Sequence, residues 1–151
     1  MLRAIACSAL ICIATTTSSI AADLIEKVSP HSVQATMDRL SGAVTGAGAT
    51  VFARVDHAGG AASVDMDLAP SQLLIFGNPK LGTPAMLDGA TAGLDLPLRV
   101  LAYADNEGVV RVVYHDPATL AATHGLPSDA KYIQMMTGAL NKLTSKAVAA
   151  D

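Results

Sequence analysis

The chain has 151 residues, 51% of them hydrophobic, with a formal net charge of −3, three Tyr, two Phe, no Trp and two Cys. That length suits one domain; an acidic balance with no basic run speaks against nucleic acid as a partner, and so few aromatic rings leave little to stack on bases or sugars. Both cysteines, Cys7 and Cys12, fall in the leader segment, so the rest of the chain has no thiol for a disulfide, a thiolate metal site or covalent catalysis.

Residues 1–22 read as a signal peptide. Arg3 gives a positive start, Ala4 to Ala14 a short apolar core, and Ser19-Ile20-Ala21 a peptidase site, with cleavage after Ala21 or Ala22. The apolar stretch is shorter than the ~20 residues of a spanning helix. Lipidation is not expected either, since Cys12 follows the bulky Ile11 and Cys7 has no apolar core before it. The expected product is a periplasmic or secreted single domain, residues 23–151, with no membrane insertion once the leader is gone. Without Arg3 it holds nine Lys plus Arg against thirteen Asp plus Glu, a formal charge of −4.

Leu24 to Val28 is a short strand candidate. Ser29-Pro30 offers an N-cap and a first helical proline, and Val33, Met37, Leu40 and Val44 then recur at helical spacing until Gly46 and Gly48 end the helix. Val51, Ala53 and Val55 alternate with Phe52, Arg54 and Asp56, the period of a two-faced strand. His57-Ala58-Gly59-Gly60 breaks it, and Ser63 to Leu68 is a further extended piece. In "LLIFGNPKLGTPAM" the run Leu73–Phe76 lacks alternation and predicts a strand covered on both sides. Leu98–Ala104 and Val109–His115 flank Asp105-Asn106-Glu107-Gly108, a hairpin turn with Gly where positive φ is expected. The end is helical: a short segment at Pro117–His124, then a longer helix with Ile133, Met136, Leu140 and Leu143 on one stripe and Lys142 and Lys146 near its negative end. That Met-containing stripe reads as core rather than a soft-metal or haem patch.

The order strand, helix, four strands, helices implies an α+β fold, an antiparallel sheet with helices packed on one face. The segments "TVFARVDHAGGA", "LLIFGNPKLGTPAM", "AGLDLPLRVLAYADNEG" and "VVYHDPATLAATHGL" resemble successive motifs of the domain-of-unknown-function 302 (DUF302) family, in the same order and over nearly all of residues 23–151. The resemblance implies a TATA-binding-protein-like β-α-β4-α fold and a homodimer. It implies no reaction, and the shared fold carries no warrant for DNA binding.

In a simple meander the strands ending at Gly77 and His115 finish at one rim, and the strand before His57 finishes at the other. Asn78, Lys80, Thr83, His115 and Asp116 are therefore the candidate ligand-binding residues. Each also has a plain structural role: Asn78-Pro79 as a turn, Thr83-Pro84 and Asp116-Pro117 as helix starts, Lys80 as a solvated cation. His31, His57, His115 and His124 raise the question of metal. No two are spaced for one helix face, so no metal site is assigned, with His57 and His115 the weak candidates. A Ser-His-Asp triad lacks a G-x-S-x-G elbow. The reading is an exported binding or accessory domain whose ligand and cofactor are unknown, with itself, a small molecule or another periplasmic protein as partner. The alternatives are a metal- or haem-binding protein, or a hydrolase or isomerase with His115 as base and Asp116 or Lys80 assisting.

Overall fold

The apolar and alternating segments become one antiparallel sheet in the computed structural model, which describes residues 24–150. The expected leader, its cleavage point and both cysteines lie outside those residues. The elements are β1 (Leu24–Ser29), α1 (Val33–Gly46), β2 (Thr50–Asp56), α2 (His57–Ala62), β3 (Ser71–Gly77), α3 (Pro79–Asp88), a 3₁₀ turn (Ala90–Leu94), β4 (Leu98–Ala104), β5 (Val110–His115), α4 (Ala118–His124) and α5 (Lys131–Ala147). Strand order is β1-β5-β4-β3-β2 and every neighbouring pair is antiparallel. The chain is thus α+β, a meander of β2 to β5 with β1 added beside β5.

The helices form where one-sided burial demands them. α1 buries Val33, Met37, Leu40 and Val44, and α5 buries Ile133, Met136, Leu140 and Leu143, the stripes visible in the sequence. The main core sets α1 and the C-terminal half of α5 against Leu74, Phe76, Val100, Ala102, Val112 and Tyr114 of the sheet. Full burial of a Leu or Val stabilises by about 1.5–3 kcal/mol, so this face holds the sheet and helices together. The N-terminal half of α5 belongs to a second cluster, where Ile133 and Met136 meet Ala85, Ala92, Leu120 and Leu126. The β4–β5 turn closes as expected, with Gly108 at φ +78° and Asp105 Oδ1 accepting the N–H groups of Glu107 and Val109.

Five local expectations need correction. The cap of α1 is Ser32, whose hydroxyl accepts the Ala35 N–H, while Ser29 ends β1 and pairs its hydroxyl with Thr36 at 2.7 Å. His57-Ala58-Gly59-Gly60 does not break the chain into a loop but opens α2, because Asp56 caps it through the Gly59 N–H at 3.0 Å. Ser63 to Leu68 forms no strand. A bulge between Val51 and Ala53 resets the alternation of β2, so that Arg54 lies opposite Leu74 and Val55 opposite Leu73. Finally, among the described residues β3 is covered on one side only. Leu74 and Phe76 are buried, whereas Leu73 and Ile75 are half-buried on the opposite face.

That opposite face carries an apolar row over four of the five strands, with polar residues beside it. Cross-strand neighbours Val55, Leu73, Leu101, Val113 and Glu26 make one row over all five strands, and Ser71, Tyr103, Arg111 and Val28 make a second. None of these nine residues is buried, and Leu24 and Val28 at its β1 edge are each 56% exposed.

Candidate functional site

Since β3 and β5 both run antiparallel to β4, Gly77 and His115 finish at the same rim, and β2, antiparallel to β3, carries His57 to the other. The rim residues are nevertheless split between two hollows. One, of about 210 Å3, is lined by Asp95, Arg99, His115, Asp116, Thr119 and Leu98, among others. The other, of about 360 Å3, has Asn78 and Thr83 in its wall with Phe52, Gly77, Leu98 and Met136. Leu98, at the start of β4, borders both. Lys80 lines neither and is exposed.

The polar groups at this rim are largely committed to backbone. Asn78 caps α3, its Oδ1 accepting the Lys80 N–H at 3.0 Å with Pro79 at the first turn. Thr83-Pro84 is therefore not a helix start, as expected from sequence, but lies inside α3 with Thr83 exposed. Asp116 Oδ1 accepts the Ala118 N–H at 2.9 Å, but the cap position of α4 falls on Pro117, so the Asp-Pro pattern sits one residue ahead of the helix start that the sequence suggests. His115 is exposed and no described side chain hydrogen-bonds its ring. A general base needs an orienting partner and a nearby proton to take, and neither Asp116 nor Lys80 provides one here.

The most connected imidazole is His124, which the sequence reading counted among four histidines but named neither as a ligand-binding residue nor as a weak metal candidate. His124, its side chain 5% exposed, sets Nε2 2.8 Å from Asp95 Oδ2 and Nδ1 3.1 Å from Thr91 Oγ1. Asp95 also accepts from Arg99 Nη2 at 2.8 Å. The hydrogen bond from His124 holds the Asp95 carboxyl below the usual range, against the opposing effect of burial and with help from the Arg99 charge. This network ties the end of α4 to the 3₁₀ turn. Asp95 and Arg99 are four apart, but the intervening Pro97 follows a cis peptide and begins no helix, so helical spacing could not have revealed the pair. Among the described residues no group of three or more His, Cys, Asp or Glu could hold a metal ion.

A family profile described as "Domain of unknown function DUF302" matches residues 25–143. The chain is 45% identical over 123 residues to a fluoride-specific ion channel FluC 1 of Brucella suis biovar 1 (strain 1330), covering 80% of this chain and 48% of that protein. FluC 1 of Brucella abortus biovar 1 (strain 9-941) matches at 45% identity, with 80% and 46% coverage. The chain thus spans about half the length of these curated relatives. Among solved structures, a DUF302 protein from Bacillus stearothermophilus superimposes with a TM-score of 0.74 at 16% identity, over 82% of this chain and 97% of that one.

Proposed function

The chain belongs to the DUF302 family, a membership that brings a fold and no activity, and from that premise we propose that it is an exported accessory domain that binds rather than catalyses and works as a homodimer. The observation that carries self-association is the uncovered sheet face, with Val55, Leu73, Leu101 and Val113 in one row across four strands. A sheet with one face in water normally alternates to polar side chains there, and an apolar patch of this extent is a surface awaiting a partner. A second copy suits it. Arg111 is already paired with Asp105 and Glu26, and Arg99 with Asp95. Two copies therefore meet with their cations neutralised and without like-charge repulsion across the row. Five strands at about 4.8 Å and six residues at about 3.3 Å give roughly 480 Å2 in plan per copy, close to the ~1,000 Å2 total at which specific interfaces begin. Light scattering of the protein at micromolar concentration is expected to give twice the chain mass, and Leu101→Asp the single mass; a monomeric wild type overturns the proposal. N-terminal sequencing of the periplasmic protein is expected to start at Ala22 or Asp23, and retention of Met1 would count against export.

The accessory role draws on the Brucella proteins, which are called fluoride-specific ion channels and share with this chain less than half their length. No described helix is long and apolar enough to cross a membrane. The part those proteins share with this chain is read as a domain that serves a membrane channel, and the same domain here as serving a membrane partner. Fluoride itself is a poor ligand for a domain of charge −4. Fluoride efflux from vesicles holding a fluoride channel is expected to change when this protein is added; an unchanged rate removes the channel from the proposal.

A further inference from the structure

We infer that the 360 Å3 cavity at the β3–α3 rim is a binding site for a small neutral molecule, apolar over most of its surface and carrying one hydrogen-bonding group. It rests on the reading of the chain as a binding domain, and it does not depend on self-association. The cavity walls include Phe52, Leu81, Met86, Leu96, Leu98 and Met136, and among the described residues lining it none is ionisable. Moving a charge out of water onto such an apolar lining is unfavourable unless a counter-charge waits there. None does, so neutral ligands are selected. The space exceeds the ~150 Å3 that suffices for benzene and lies within the ~300–1,000 Å3 of small-molecule sites.

Two polar side chains face this apolar lining with capacity to spare. Asn78 spends Oδ1 on the Lys80 N–H, which leaves its amide N–H groups without a hydrogen-bond partner among the described residues, and Thr83 Oγ1 makes no hydrogen bond to any of them. They give the site a place for one acceptor or donor of the ligand, while the remainder is held by dispersion and apolar contact. The local chain keeps the space open: Gly77 and Gly82 both line it, and a Cβ at Gly77 would stand 3.3 Å from the Cβ of Pro97. At Gly82, which lines the cavity, a Cβ would stand 3.9 Å from Leu96 Cδ1, ordinary contact distance, so a side chain can be introduced there.

A matched pair of probes of nearly equal shape tests the inference. At pH 7, 2-naphthol is neutral and 2-naphthoate is anionic. Titration of the full protein, followed by the NMR signals of the Leu98 and Met136 methyl groups, is expected to give a dissociation constant at least tenfold lower for 2-naphthol. Gly82→Phe fills the cavity and is expected to abolish that binding while far-UV circular dichroism is unchanged. Should that variant fail to fold, Met86→Trp, at a position 40% exposed, closes the same space from its mouth and is expected to weaken binding at least tenfold. The inference is overturned if 2-naphthol does not bind, if 2-naphthoate binds as tightly, or if a folded filling variant binds 2-naphthol like the wild type. Native mass spectrometry of the same sample separates this failure from failure of the binding-domain reading: a co-purified charged molecule removes only the neutral ligand class.

Discussion

Leu74 and Ile75 are neighbours in an unbroken apolar run, yet the pleat sends them to different fates. Leu74 is fully buried among α1 and the central strands, while Ile75 lies half-buried on the uncovered face. Leu74→Ala is expected to cost about 2–5 kcal/mol in urea unfolding, because the packed core collapses only partly around the missing atoms. Ile75→Ala is expected to cost the isolated chain less than half as much. A comparable loss for both would mean that the second face is covered after all. His124 makes a different case, since its imidazole is buried by contacts that are polar. Replacing it with Ala removes both hydrogen bonds of the imidazole, while Asp95 keeps Arg99 and Thr91 faces solvent, so the change is expected to destabilise by about 1 kcal/mol. Acid sensitivity has its own residue-level cause. Asp38 is held below the usual carboxyl range chiefly by a hydrogen bond from Arg54, Asp95 chiefly by that from His124, and Asp105 chiefly by that from Arg111. Depressed carboxyls stabilise the fold fully above the unfolded value near 3.9 and lose that contribution as pH falls through their lower folded values. The urea midpoint is therefore expected to fall between pH 4 and pH 2, and less steeply in Arg111→Met, which releases Asp105.

Elements differ in how much of the core they touch, and α2 touches least. It has six residues, two of them Gly, and none is buried. Its order rests on the Asp56 cap, so Asp56→Ala is expected to raise hydrogen exchange at 57–62 to loop-like rates while leaving the global urea midpoint nearly unchanged. A large global loss in that variant would mean that α2 is part of the cooperative core. The same contrast explains what the sequence could tell. α1, α5 and the β4–β5 hairpin were legible because burial on one side imprints a period, and because Gly108 marks its own backbone angle. α2 and α3 were not, since Asp56 and Asn78 serve equally well in turns and caps, and the cap-plus-proline pattern recurs five residues later at Thr83-Pro84 without starting a helix. For the candidate site, strand direction alone placed Gly77 and His115 at one rim. It could not foresee that the chain entering β4 at Leu98 would divide the rim into two hollows, or that Phe52, beside the bulge, would wall one of them. Those placements follow from tertiary packing that leaves no period in the sequence.

At the scale of the whole molecule, the question is whether a chain with an apolar row on one sheet face can be its own final state. If two copies cover that face, unfolding separates them, and stability depends on concentration. A tenfold rise in protein adds about 1.4 kcal/mol per dimer, or about 0.7 kcal/mol per chain, which corresponds to a melting temperature roughly 2–4 °C higher for a domain of this size. Leu101→Asp is expected to abolish that dependence. Because Leu101 lies half-buried between Leu73 and Val113, a carboxylate there also costs the single chain some stability, and the urea midpoint and far-UV circular dichroism of the variant separate loss of the dimer from loss of the fold. Salt then identifies what holds the copies together. Each chain of residues 23–151 carries −4, so two copies repel over distance, and screening relieves that repulsion. A dimer joined through Val55, Leu73, Leu101 and Val113 is therefore expected to tighten between 0.05 and 0.5 M NaCl in sedimentation equilibrium. One joined by ion pairs through Arg111 or Arg99 would loosen over the same range, and that result would move the interface off the apolar row.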